Sequence, residues 1–396
     1  MRKLRVGFPF CPRSNWLGGA NYIRNLLFAI VVRRNNKVNP VLISSPEDVD
    51  ASYVFLRGLE NYAKQLSFAV VPFANRFPET SFGEILHEAL WGRASYIETV
   101  LREHEIDLLS HFEIEGVEAD FPFAGWIPDF QHRRRPEFFG SKEIEKRDFI
   151  FRRIASKSRL VFLSSQAALS DFQSDFPQYA AKGRVLRFVS YPFEKISSDE
   201  AQEIIAAYGI KDDFFYLPNQ FWVHKNHSVV IEALSILRQR GRKCRVVATG
   251  SAEDYRHPGH YGNLLEKVKV LGVESEFHHL GVVPYRNVAA LVKTASAIIN
   301  PSFFEGWSST VEEAKAMGQR MLLSDIPVHR EQAGGKALYF DPSSPEDLAD
   351  CICKTLSEDR LFVDEKRQDE IDSLLMERVR DFGNQYEAYV REALKV

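Results

Sequence analysis

Two doubly wound α/β domains, each a parallel sheet between layers of helices, are what this sequence predicts. Three observations carry that expectation. The chain has 396 residues, which at about 150 residues per domain suggests two domains. Short apolar runs alternate with longer amphipathic stretches from end to end. The runs are apolar at consecutive positions rather than alternate ones, as strands covered on both faces by helices must be. Strand–helix–strand repeated this way builds parallel sheets, and two such series build two Rossmann-like domains.

In the first half the strand candidates are LRVGFP (4–9), PVLIS (40–44), SFAVVPF (67–73), FAGWI (123–127), RLVFLSS (159–165) and RVLRFV (184–189). In the second half they are FFYLP (214–218), RVVATG (245–250), FHHLG (277–281), SAIINPS (296–302) and RMLLSD (320–325). Between them lie helical stretches such as 226–241, where Val230, Leu234 and Leu237 keep one face apolar and Gly241 marks the stop. The first series ends in SYPFEKISSDEAQEI (190–204), where a capped helix begins, so the domains are expected at 1–195 and 196–377. In the last stretch Val379, Phe382, Tyr386, Tyr389 and Val390 share one helical face. A helix at 378–396 with that much apolar surface is expected to pack back on the first domain.

With 45% hydrophobic and 27% charged residues the chain buries a core, which rules out disorder and low-complexity scaffolds for the whole. The net charge of −3 argues against a general nucleic-acid binder. Through Lys195 there are 27 Lys/Arg against 23 Asp/Glu, and after it 24 against 31, so the halves carry +4 and −7. Four cysteines make no disulfide framework in a chain this long. Cys351 and Cys353, two apart in a helical stretch, point different ways and suit no metal. MRKLRVGFPFCP holds no signal-length apolar run, and LLFAIVV (26–32) is far shorter than the roughly 20 residues that span a bilayer. A cytoplasmic protein is expected, with a peripheral seat on the inner face of the membrane left open.

Ligands of doubly wound domains bind at the carboxyl ends of the strands. The strongest such loop is NPSFFEGWSSTVEEAKAMG (300–318): strand end, glycine turn, Ser308-Ser309-Thr310, then a helix. The free N–H groups of a first helical turn, with the helix dipole behind them, can hold a diphosphate. Glu305 stands before that turn, and Glu313 eight residues later can accept hydrogen bonds from ribose hydroxyls. Ser309 with Glu312, or Thr310 with Glu313, also fits a capping box, which needs no ligand and leaves Glu305 unexplained.

The second loop is LPNQFWVHKNHSVV (217–230). Lys225 there can reach a leaving diphosphate; as a mere solvated lysine it would oppose the helix dipole. His224 and His227 read as a cap and a packed ring rather than metal ligands. The third is the Gly18-Gly19 turn after the first strand, close to anionic groups or an ordinary strand–helix turn. Neither GxGxxG nor a Walker A sequence occurs.

These residues resemble a family. EGWSSTVEEA, with Glu305 and Glu313 separated by seven residues, is similar to the E-x7-E signature of retaining family 4 glycosyltransferases of the GT-B fold ("glycosyl transferases group 1"). The likeness extends over the GG turn, WIPDFQH (126–132), VFLSS, NQFWVHKN, FHHLGVVPY and YFDPSSPEDLADCI. It implies two Rossmann-like domains facing each other across a cleft, the first for the acceptor and the second for a nucleotide sugar.

It also implies roles. Glu313 would take the ribose, Glu305 the hydroxyls of the transferred sugar, and Lys225 with the amides at Ser308, Ser309 and Thr310 the diphosphate. The loop near Val282 and Val283 would contact the base, and Gly19 would approach the phosphates from the first domain. Transfer would retain the anomeric configuration, without cofactor or metal. The donor would be a nucleotide-diphosphate hexose, of mannose type on the resemblance, and the acceptor a hydroxyl of a growing glycan or lipid-linked oligosaccharide such as a lipopolysaccharide.

The sequence departs from the pattern at three places. Gln220 stands where members carry a diphosphate arginine. The cleft histidine of an HD pair falls on Pro128, which leaves Asp129, or His132 three further on, as the candidate beside the sugar or acceptor. Ser308 and Thr310 replace Gly and Pro. Two other readings are a sugar-nucleotide epimerase of the non-hydrolysing type and a catalytically silent nucleotide-sugar-binding protein. Asp48-Val49-Asp50, formally a DxD triplet, suits a helix start better than a metal. The run His132–Arg135 reads as a solvated loop, or as a weak anionic-surface contact. His278 and His279 alternate across a strand, so at most one faces a ligand.

Overall fold

The computed structural model describes residues 2–9, 17–44, 59, 67–70, 101–111, 121–358 and 365–396. Contacts divide the chain into two units. One comprises Met1–Phe130, Lys142–Phe193 and Met376–Val396, the other Gln131–Ser141 and Glu194–Leu375.

The first unit holds β1 (Leu4–Pro9), β2 (Val38–Ser44), β3 (Ser67–Val70), β4 (Leu108–His111), β5 (Phe123–Ile127), β6 (Leu160–Leu163) and β7 (Gly183–Val185). They form one sheet in the order β3-β2-β1-β4-β5-β6-β7, parallel throughout. The second unit holds β8 (Phe215–Leu217), β9 (Val246–Ala248), β10 (Phe277–His279), β11 (Ala297–Asn300), β12 (Met321–Ser324) and β13 (Leu338–Phe340). Its sheet runs β10-β9-β8-β11-β12-β13, again parallel. The doubly wound class expected from the apolar runs is the class observed. β4, β5, β6, β8, β9, β11 and β12 are buried along their whole length, because helices cover both faces.

Two strands escape the sequence reading. β4 is only LLSH, its apolar run ended by Ser110 and His111, which are buried nonetheless. β13 is LYF, with Leu338 and Tyr339 half-buried. Runs this short carry no periodic signal. β4 is central to its sheet all the same, paired with β1 and β5.

The last helix, Glu365–Leu394, buries Val379, Phe382, Tyr386 and Val390. Tyr386 donates to Ser110 Oγ at 2.8 Å, at the end of β4. A Cβ on Gly383 would stand 2.1 Å from the Ala29 carbonyl oxygen, so only glycine allows this helix so near Leu17–Val31. Gln131–Ser141 groups with the second unit, although it lies inside the segment expected to form the first domain. The reason is aromatic. Arg135 stacks over Phe138 and Phe303, Arg256 over Phe139, and Phe138 faces Phe303 with ring centroids 6.4 Å apart. The basic run is a helical turn rather than a loop, with His132 fully buried, Arg133 and Arg135 half-buried and Arg134 exposed.

Candidate active site

In the second unit the strand order reverses between β8 and β11, which places a crevice at the carboxyl ends of those two strands. The two loops singled out by their chemistry leave the sheet there. Lys225 ends a single 3-10 turn, Val223–Lys225, and the helix His227–Gln239 follows. Between them Asn226 takes the left-handed conformation, φ 54°, which asparagine tolerates better than most residues. Its amide donates to the Pro301 carbonyl at 3.1 Å and the Pro342 carbonyl at 2.8 Å. The Phe303 N–H donates to the His224 carbonyl at 2.9 Å. The loop after β8 is thereby stitched to the loop after β11.

That stitching delivers Lys225 to Glu305. The ammonium donates to Glu305 Oε1 at 2.6 Å, and the two side chains are 17% and 9% exposed. Ser302 Oγ lies 2.7 Å from the same carboxylate oxygen and 2.7 Å from Asn300 Oδ1. Burial alone would raise the Glu305 pKa. The Lys225 charge and the hydrogen bonds from Lys225 and the Ser302 hydroxyl outweigh it, and the carboxyl sits below its ordinary range. Glu305 is therefore an ionised acceptor held at the crevice.

The helix Ser309–Ala316 begins where the sequence places it, but the cap is different. Ser308 is the N-cap, its Oγ accepting from the Val311 N–H, and neither expected capping box forms. Glu312 is instead fully buried, taking Lys315 at 2.8 Å and the Gln332 amide at 3.1 Å. Ser308 is expected on a phosphate, yet its N–H is already engaged by Gln332 Oε1 at 3.1 Å. The Thr310 hydroxyl is also part of the framework, 3.3 Å from Asn219 Oδ1. Among the described residues the amides of Ser309 and Thr310 meet no acceptor. They are the free donors of this helix end.

Glu313, freed of any capping duty, has no ion-pair or hydrogen-bond partner among the described residues. Burial pushes its carboxyl up to about 7. It lies in the field of Tyr216 on β8, whose hydroxyl is 2.6 Å from Thr249 Oγ1. Glu305 thus meets Lys225, which follows β8, and Glu313 acts on Tyr216 within β8.

Gln220 follows β8 in the loop that leads to Lys225, and it is half-buried. Its backbone forms a wall with Gly250, which has φ +136° and where a Cβ would stand 2.5 Å from Asn219 O and 2.9 Å from Gln220 Cα. His279 faces this wall, its Nε2 2.9 Å from the Gly250 carbonyl and its Nδ1 2.8 Å from Tyr261 OH. His227 stacks on Phe221, ring centroids 4.0 Å apart, as a packed ring. Past β10, Val282 is 72% exposed while Val283 is half-buried against the core.

Asp129 and Gly19 belong to the first unit, Asp129 beyond β5 and Gly19 buried in the first turn of the helix Leu17–Val31. Asp48-Val49-Asp50 lies outside the described residues. Among the described residues no group of three His, Cys, Asp or Glu is arranged to hold a metal, and no helix is long and apolar enough to cross a membrane. Four residues escape the sequence reading: Asn300, Ser302, His329 and Gln332. A signal for the last two exists, since IPVHREQ puts them three apart on one helix face directly after a strand.

Comparisons with known proteins find likeness to glycosyltransferases. Residues 198–372 match the family model "Glycosyl transferases group 1". Mannosylfructose-phosphate synthase of Agrobacterium fabrum is 24% identical over 177 residues, 43% of this chain and 38% of that protein. The chain spans little more than a third of the length of the curated relatives it matches. Among solved structures, a glycosyltransferase from Rickettsia africae superposes with a TM-score of 0.66 at 14% identity, covering 100% of this chain and 98% of that one. Anabaena Alr3699/HepE, solved with UDP and glucose, gives 0.65 at 17% identity over 98% of this chain and 99% of its own. The fold is the GT-B fold of glycosyltransferases.

Proposed function

We propose that the chain is a retaining glycosyltransferase that moves a hexose from a nucleoside-diphosphate sugar to a hydroxyl of a glycan or lipid-linked acceptor. The observation that carries this reading is the 2.6 Å contact between Lys225 and Glu305 at the reversal point of the second sheet. A lysine and a carboxylate held there can divide a sugar nucleotide between them. The ammonium faces the diphosphate, with the Ser309 and Thr310 amides on its other side, and Glu305 faces the sugar hydroxyls. As the bond from the anomeric carbon to the phosphate oxygen breaks, negative charge grows on the phosphate. A fixed ammonium and helix dipole stabilise it without reorganisation. Glu313 accepts from the ribose hydroxyls, and the wall of Gln220 and Gly250 with the Val283 loop bounds the base. Attack by the acceptor hydroxyl on the face the phosphate leaves, its proton passing to the departing phosphate oxygen, preserves the anomeric configuration.

Incubation with a panel of nucleoside-diphosphate hexoses, mannose type included, with and without glycan acceptors and chelator, tests this. The expected result is chelator-insensitive transfer with a product of unchanged anomeric configuration by NMR. Epimerisation of the donor, or binding with no transfer under any acceptor, would replace the reading by one of its two rivals.

A further inference from the structure

We propose that His329 is a positioning residue for Glu305, acting through Ser324 and Ser302, with the helix Pro327–Ala333 as the support on which the donor site is built. The inference rests on the assignment of Glu305 to the donor sugar.

β12 lies beside β11, Leu323 opposite Asn300, so the end of β12 sits next to the Asn300–Ser302 turn. Ser324, the last residue of β12, is fully buried and donates its hydroxyl proton to the Ser302 carbonyl at 2.6 Å. That leaves the Ser324 oxygen atoms as acceptors. His329 Nδ1 lies 2.9 Å from the Ser324 carbonyl and 3.1 Å from Ser324 Oγ, so Nδ1 carries the ring proton and donates it there. The tautomer is fixed by that bond, and Nε2 is a bare lone pair. Nε2 is buried and meets no partner among the described residues, while the whole side chain is 0% exposed. The Ser302 hydroxyl then reaches Glu305 Oε1 at 2.7 Å, and Lys225 closes the row at 2.6 Å.

A continuous chain of contacts therefore runs His329–Ser324–Ser302–Glu305–Lys225. No surface loop intervenes, and each link is short. Burial pushes the ring toward its neutral form.

One turn on, Gln332 serves the other half of the site. Its Oε1 accepts from the Ser308 N–H at 3.1 Å, and its Nε2 donates to the Ser308 carbonyl at 2.7 Å and to Glu312 Oε1 at 3.1 Å. One short helix thus sets both the carboxylate and the helix start that flank the diphosphate position. Neither residue touches substrate in this assignment. Both act on groups that do.

Two isosteres separate the roles of the ring nitrogens. His329→Asn places an amide N–H where Nδ1–H stood, whereas His329→Leu and His329→Gln lose the donation to Ser324. Ser302→Ala removes the last link at the cost of a single oxygen atom and guards against a His329 variant that fails to fold. Expected for His329→Leu and Ser302→Ala is a kcat lower by about 10–100-fold, with donor KM within about threefold, because the diphosphate contacts remain. His329→Asn should stay within about fivefold of wild type. Crystal structures of the unliganded variants supply a readout independent of transfer. Glu305 should leave Lys225 in His329→Leu and keep its place in His329→Asn. An unmoved Glu305 in His329→Leu, or a KM rise with kcat unchanged, overturns the inference. Loss of all transfer by the wild-type protein would instead remove the functional reading, and the crystal comparison would still decide the positioning claim.

Discussion

Lys225 Nζ and Glu305 Oε1 meet at 2.6 Å although 80 residues separate them in the chain. Each follows one of the two strands at which the second sheet reverses, and Asn226 and Phe303 tie the loops together just behind the pair. The ammonium is paired with the carboxylate that the proposed function assigns to the sugar. On that proposal Lys225 keeps its place for the diphosphate, and Ser302 keeps Glu305 where the hydroxyls meet it.

Glu305→Gln should separate these effects. Transfer should fall at least about a hundredfold, since the sugar loses an ionised acceptor. Affinity for a nucleoside diphosphate should stay within about threefold of wild type, because Lys225 and the amides of Ser309 and Thr310 remain. Calorimetry on the variant checks this; a joint fall of affinity and transfer would contradict the separate roles of Glu305 and Lys225.

Lys225→Met acts in the other direction. Nucleoside diphosphates should bind about 10–100-fold more weakly, the range of one charge-assisted hydrogen bond, while the free nucleoside is unaffected. Equal weakening of both ligands would take Lys225 away from the phosphates.

Glu313 makes stability depend on pH. Its folded-state pKa of about 7 lies above its unfolded value, so the folded protein binds the extra proton between about pH 4.5 and 7. Stability is lost as pH rises through that window and stays lower above it. Glu313→Gln should remove this loss, raising stability at pH 8 by about 2 kcal/mol and leaving it unchanged near pH 4. Nucleotide affinity should fall in the same variant, since an amide offers the ribose hydroxyls one acceptor atom in place of two. Thermal melts at the two pH values decide it, and a variant less stable at pH 8 would refute the burial of this charge.

Gly250→Ala should be costly out of proportion to one methyl group. The backbone is at φ +136°, and the added carbon would press on Asn219 O and Gln220 Cα. A destabilisation above about 2 kcal/mol is expected, with a displaced Gln220 loop and weaker nucleotide binding. An unchanged melting temperature would show that the loop has room to yield.

The amino-acid sequence by itself determined the class of fold and singled out the strand-to-helix turns that meet where the second sheet reverses. Runs such as 160–163 and 297–300 are apolar at every position because helices cover both faces, and that pattern is local. Glu305, Lys225 and the helix opening at Ser309 were likewise legible, since each stands at a strand-to-helix turn whose residue types have a chemical meaning. Only the tertiary structure decided which groups are available. Ser308 is a cap with its amide already bonded, Glu312 is a buried counter-ion and Glu313 has no side-chain partner among the described residues, although all three lie in one six-residue stretch. Gln332, on the helix after β12, engages both the Ser308 N–H and Glu312, and it is brought near by the order of the strands, while Lys315 adds a local partner one turn on. The same holds for His329 and Ser302, and for Gln131–Ser141, which packs through arginine–phenylalanine stacking against residues more than 80 positions away. Hydrogen bonds and stacking between distant segments leave no periodic trace in a chain, whereas burial of a strand does.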